Sequence, residues 1–245
     1  MPFVLLHGGG LDSRCWDAVA PLLNDMVCAV DLPGRGSRPA DFATVTVADF
    51  VDEVVAGIVD RDLSEVALVG HSLAGITMPG VALRVPDRLR RLVFVSCAVP
   101  PDGGSVAEIL ATFSPAVADL AARIGDGVVD SHGALHPDLA TAMFCNDMNE
   151  HDRALTLSLL VPESFGVIAE SIDLRGLRGS VPSTYVRLLR DASLTLELQN
   201  RMAINASADE VVDIDAGHMV MITRPTDLAK VLNKLSSTSP PAPLS

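Results

Sequence analysis

A chain of 245 residues, 49% hydrophobic and 20% charged, has an ordinary globular composition and enough apolar material for one large core. Its formal net charge of −13 repels phosphate backbones and anionic lipid, so neither nucleic acid nor a membrane surface is an expected partner. No apolar run reaches the roughly 18 residues of a membrane span. Cys15, Cys28, Cys97 and Cys145 form no CxxC pair and no zinc spacing with histidine, and they read as buried small hydrophobes. The opening MPFVLL lacks the charged start of a secretory signal, so the expected location is cytoplasmic.

Short apolar runs alternate with helical periodicity along the chain. FVLL (3–6) reads as a strand that ends at His7 and runs straight into Gly8, Gly9 and Gly10. Three consecutive glycines are entropically costly to order. No P-loop lysine follows them and no third glycine completes a dinucleotide fingerprint, so they read as bare backbone facing a ligand. MVCAV (26–30) is the next strand. Over 46–59, Val47, Phe50, Val51, Val54, Val55 and Ile58 recur at helical spacing while Asp49, Asp52 and Glu53 face away. The TVAD at its start fits a capping box with Thr46 at the cap. EVALVG (65–70) and RLVFVS (91–96) are strands, as are STYVRLL (183–189) and EVVDI (210–214). A last helix starts in RPTDLAKVLNKL, with Pro225 at the first position and Leu228, Val231, Leu232 and Leu235 in one stripe.

Near-continuous apolar strands alternating with helices predict an α/β protein, with a mostly parallel sheet buried on both faces. Residues 101–180 carry helical pieces, among them SVAEILATF and DRALTLSLL, and no strand pattern. Such a length is too great for a plain loop. It reads as a helical cap inserted into a core made of 1–100 and 181–235. The Ser/Pro-rich SSTSPPAPLS (236–245) is an expected disordered tail.

Chemistry concentrates in VALVGHSLAG, a buried strand running into Gly70-His71-Ser72-Leu73-Ala74-Gly75 before a helical pattern. This is a nucleophile elbow, with Ala74 where G-x-S-x-G has its second glycine. A serine nucleophile must sit on a sharp strand-to-helix turn with its hydroxyl exposed, and residues two before and two after must be small to clear the neighbouring strand and helix. The helix that follows aims its N-terminus at the site. Ser72 needs a base. His71 is the variable elbow residue, and His132, His136 and His151 lie in the expected cap. His218, on a glycine-containing loop between the last strand and the last helix, is placed to reach the serine. The base needs an orienting carboxylate. Asp191, just past the fifth strand, is preferred. Asp213 and Asp215 are too near His218 in sequence, and Asp102, after the fourth strand, is the competitor.

FVLLHGGGLDSRCW, VGHSLAG, STYVRLLRDASLTLELQNRMA and AGHMVMITRPTDLAKVL together resemble the α/β-hydrolases of the plant methylesterase and hydroxynitrile lyase type. The resemblance implies the α/β-hydrolase fold with about six strands, Ser72 as nucleophile, His218 as base and Asp191 as acid. It also implies an oxyanion hole from the Gly9 and Leu73 amides, with Gly8 the alternative to Gly9 and His7 bracing the loop. Metal and organic cofactors are not needed. Lyase members carry a lysine after the histidine and a threonine after the first-strand histidine. Here those positions are Met219 and Gly8, as expected for an esterase. An apolar pocket floored by Trp16 and Met219, and roofed by Leu110, Phe113, Met143, Phe144 and Phe165, suits a small to medium, largely uncharged ester or lactone. The alternatives are a lyase or C–C bond hydrolase on the same triad, and a small-molecule receptor with weak turnover.

Overall fold

The computed structural model describes residues 1–110, 115–130, 132–179 and 181–237. Six strands lie in one sheet: β1 (Phe3–Leu6), β2 (Val27–Val30), β3 (Val66–His71), β4 (Leu89–Val95), β5 (Ser183–Leu188) and β6 (Glu210–Ile214). Their order is β2-β1-β3-β4-β5-β6, and every pairing is parallel. The chain winds outward from β1 to β2, then crosses back to lay β3 on the other side of β1. The loops leaving β1 and β3 therefore diverge around one crevice at the C-terminal edge, where α/β sheets bind ligands.

Alternate strand residues feed two apolar layers. On one face Val4, Leu6, Leu68, Phe94 and Tyr185 pack with α1 (Val47–Val59), α2 (Met78–Arg84) and α8 (Leu196–Asn205). On the other, Phe3, Leu5, Val69, Val95 and Val186 pack with α9 (Val220–Thr223) and α10 (Pro225–Ser237). Full burial holds for β1 and β3 and nearly so for β4 and β5. The expectation fails for β2 and β6. Each is an edge with one neighbour, and β6 turns Val211 and Asp213 outward.

The capping box of α1 is formed: Thr46 Oγ1 accepts the Asp49 amide at 3.2 Å, and Asp49 Oδ2 accepts the Thr46 amide at 2.8 Å. Between β4 and β5 stands a helical cap of α3 (Val106–Leu110), α4 (Pro115–Ile124), α5 (Pro137–Phe144), α6 (Glu150–Leu159) and α7 (Phe165–Ala169). An isolated Val129–Leu135 bridge is a β feature within it. Ser236 and Ser237 belong to α10 instead of a disordered tail. The docked Leu228–Leu235 stripe carries the helix on to Ser237, and the Ser236 and Ser237 hydroxyls donate back to the carbonyls of Asn233 and Lys234. The remainder of the expected tail lies outside the described residues.

Candidate active site

Ser72 stands where β3 ends, with φ at +53°, a region L-residues avoid. Its neighbours hold it there. The strand fixes one side, and on the other the Ala98 amide donates to Ser72 O at 2.8 Å. Instead of an α-helix directly after the serine, a 3-10 turn (Ser72–Ile76) intervenes before α2. Gly75 lies so close to the Ala98 carbonyl that an added Cβ would overlap it, so the turn is drawn onto the segment beyond β4. A Cβ on Gly70 would stand 3.0 Å from Ala74 Cβ and overlap Met78 Sδ, which is the steric reason for small residues on both sides of the serine.

His218 arrives on the loop after β6. Its Nε2 is 3.0 Å from Ser72 Oγ, and its Nδ1 is 2.6 Å from Asp191 Oδ2. An Nδ1–H donating to the carboxylate leaves Nε2 to accept the serine hydroxyl. Asp191, buried after β5, has no free acceptor capacity. Oδ2 also accepts the Ser96 hydroxyl at 2.7 Å, and Oδ1 accepts the Ser193 and Leu194 amides at 2.7 and 2.9 Å. Asp102 points elsewhere, to the Leu174 amide and Arg178. Asp213 and Asp215 pair with Arg187 and Arg190. His71, fully buried, donates from Nε2 to the His218 carbonyl at 2.9 Å and so holds the loop that carries His218. Burial, with His218 beside it, keeps the His71 pKa well below the usual histidine value.

Each glycine of the first loop has its own reason. Gly8 passes Ser72 so closely that a Cβ would lie 2.9 Å from Ser72 Cβ. Its carbonyl is held by His7 Nδ1 at 2.9 Å, while His7 Nε2 accepts the Leu32 amide at 3.2 Å. Burial pushes the His7 pKa down to about 4, so the ring stays a neutral brace. Gly9 faces Leu73, and a Cβ there would lie 3.0 Å from Leu73 Cδ2 and 3.2 Å from Glu163 Oε2. Gly10 takes φ +65° and gives both of its backbone groups to the cap: its amide donates to Glu163 Oε2 at 3.0 Å, and its carbonyl accepts the Val161 amide at 2.9 Å. Leu73 lies in the first turn of the 3-10 segment, where amides have no intrahelical acceptor.

The expected pocket residues are dispersed. Phe144 stacks on the His218 ring with centroids 5.5 Å apart. Trp16 and Met219 are fully buried in the apolar layer shared with Phe144. Met143 is half-buried, and its carbonyl accepts the Ser193 hydroxyl at 2.8 Å. Leu110 is exposed. Phe165, also exposed, borders a cavity of about 760 Å³ between residues 40–43 and the cap. Phe113 lies outside the described residues. Sequence reasoning missed Ser96 and the Arg35–Glu163 ion pair. The signal for Ser96 was its place at the C-terminal end of a strand. The pair joins distant segments and had none.

A crevice at the switch point of a parallel sheet, with a strained serine, a histidine and a carboxylate in one hydrogen-bonded line, defines a class of α/β proteins with a nucleophile elbow. The family described as "Alpha/beta hydrolase family" matches residues 3–231, and the chain belongs to it. Along its length the chain is similar to plant methylesterases and esterases. It is 29% identical to polyneuridine aldehyde esterase of Rauvolfia serpentina, over 96% of both chains. It is 27% identical to methylesterase 9 of Arabidopsis thaliana, over 97% of this chain and 99% of the relative. An extracellular alpha/beta-hydrolase from a Paenibacillus species shares the fold at a TM-score of 0.83 with 23% identity, covering 99% of this chain and 100% of that one.

Proposed function

We propose that the protein hydrolyses small to medium, largely apolar carboxylic esters or lactones through a Ser72–His218–Asp191 triad. The observation that carries this reading is the continuous line from Ser72 Oγ through both His218 nitrogens to Asp191, with Gly8 passing directly beside Ser72. In the first step His218 Nε2 takes the serine proton as Oγ attacks the ester carbonyl. The imidazolium that forms is stabilised by the Asp191 carboxylate. The carbonyl oxygen, now negative, is held by the Gly9 and Leu73 amides. The protonated His218 then gives its proton to the departing alcohol, leaving an acyl-serine. In the second step His218 activates a water, which attacks the acyl carbon and restores Ser72. Metals and organic cofactors have no part in these steps.

Phe144, stacked on His218, places an apolar ring beside the triad, which supports an uncharged substrate. The similarity to polyneuridine aldehyde esterase and methylesterase 9 supports ester chemistry. Met219 and Gly8 stand where the resembling lyases carry lysine and threonine, which disfavours cyanohydrin cleavage. The test is turnover of p-nitrophenyl acetate and butyrate. Wild type cleaves them, and Ser72→Ala loses at least roughly a hundredfold in rate. No activity on any short ester, with tight binding of a small apolar ligand, would favour a receptor. Cyanide release from mandelonitrile above background would favour a lyase.

A further inference from the structure

The stretch DLPGRG after β2 has no part in the triad, yet its turn drives Arg35 into the protein. Gly34 and Gly36 on either side adopt φ of +89° and +51°, and the Arg35 side chain ends fully buried. Its guanidinium lies over the rings of Phe50 and Phe42, 4.9 and 5.8 Å from their centroids, and Nη1 donates to the Pro33 carbonyl at 2.8 Å. Its ionic partner is Glu163, which comes from the cap between α6 and α7. Burial lowers the Arg35 pKa only to about 10, so the guanidinium stays charged at neutral pH. Glu163 uses both oxygens. Oε1 meets Arg35 and accepts the Ser164 amide at 2.7 Å, and Oε2 accepts the Gly10 amide at 3.0 Å.

A buried ion pair is a poor device for stability alone, because desolvation offsets its attraction. Its position gives it another use. The glycine loop is pinned before Gly9 by His7 on the Gly8 carbonyl, and after Gly9 by Glu163 on the Gly10 amide. Gly9 itself sits between these anchors, with Glu163 Oε2 3.2 Å from where a Cβ on Gly9 would stand. A hydrogen-bond donor stabilises developing charge only if its direction is set beforehand.

We propose that Glu163, held by Arg35, is a positioning residue that aims the Gly9 amide, so that the cap completes the oxyanion hole of the core. The inference rests on the esterase reading above. Glutamine is the discriminating substitution because it has the shape of glutamate but only one acceptor oxygen. Arg35 and the Ser164 amide both claim that oxygen, which turns the –NH2 of the glutamine toward the Gly10 N–H.

Wild type and Glu163→Gln are compared for kcat and KM on p-nitrophenyl butyrate, and for inhibition by an alkyl trifluoromethyl ketone. In that inhibitor Ser72 Oγ bonds to the ketone carbon, its proton passes to His218, and the ketone oxygen becomes an oxyanion in the hole. The expected result for Glu163→Gln is a kcat lower by roughly tenfold or more, KM within about twofold, and inhibitor affinity weakened by a similar factor. Arg35→Met is expected to give the same pattern. Where that variant does not fold, Glu163→Gln decides alone. A folded Glu163→Gln with a lower melting temperature but unchanged kcat and inhibitor affinity overturns the proposal, since only stability would then depend on the pair. Wild type that cleaves no ester overturns the esterase reading and this inference with it.

Discussion

Asp191 accepts four hydrogen bonds, from His218, Ser96, Ser193 and Leu194, and that saturation decides what substitutions do. Asn in its place keeps the shape but offers an –NH2 where His218 needs an acceptor, which favours the wrong tautomer. The expected loss in kcat for Asp191→Asn is roughly 10³- to 10⁴-fold. Asp102→Asn, which disturbs only the Leu174 and Arg178 bonds, leaves steady-state rates near wild type. The reverse pattern would move the acid to Asp102. Ser96→Ala removes one of the four donors, at a cost of about 1 kcal/mol, or roughly fivefold in kcat. Gly9→Val places a branched side chain where a single Cβ already meets Leu73 Cδ2 at 3.0 Å. Turnover is expected to fall roughly a hundredfold while KM changes little. A change confined to KM would argue against an oxyanion role for Gly9.

At the scale of elements, α1 and the elbow turn are held by different means. The first is closed by its capping box, so Thr46→Ala is expected to cost about 1 kcal/mol in urea unfolding with esterase rates unchanged. The second is held by contact. Gly75 abuts the Ala98 carbonyl, and the Ser72 carbonyl accepts the Ala98 amide at 2.8 Å. Gly75→Ala therefore forces the turn off the segment beyond β4, with an expected cost of roughly 2 kcal/mol or more and a matching loss of activity. An alanine at Gly75 tolerated at full stability would mean that the turn relaxes freely, against the packing described. The capping box was legible in TVAD because it is a four-residue pattern. The contact was not, because residues 75 and 98 belong to different strand–turn units.

For the whole molecule, buried neutral histidines set an acid limit. His7 has its pKa lowered to about 4 from 6.5 by burial, with Arg35 adding to the shift while Gly8, Asp31 and Asp12 oppose it. Between those values the unfolded chain binds the proton and the folded chain does not. The stability contributed by a neutral His7 is thus complete above pH 6.5 and is lost as pH falls toward 4, by about 3 kcal/mol in all. Self-repulsion of a chain carrying −13 is relieved over the same range, so urea titrations compare wild type with His7→Asn. The wild type is expected to lose stability relative to the variant as pH falls, and parallel curves would refute this. By itself the sequence determined the six strands, the α/β class, the elbow at Ser72 and the site candidates. Those features are local: apolar runs, helical periodicity and small residues at fixed spacing report directly on backbone conformation. Only the tertiary structure decided between Asp191 and Asp102 as the neighbour of His218, gave Gly8, Gly9 and Gly10 separate surroundings, and brought Glu163 of the cap to both Arg35 of the β2 loop and the Gly10 amide. Those outcomes depend on which loops a parallel sheet gathers at its C-terminal edge, and on contacts between segments from 27 to 153 residues apart, which no local pattern encodes.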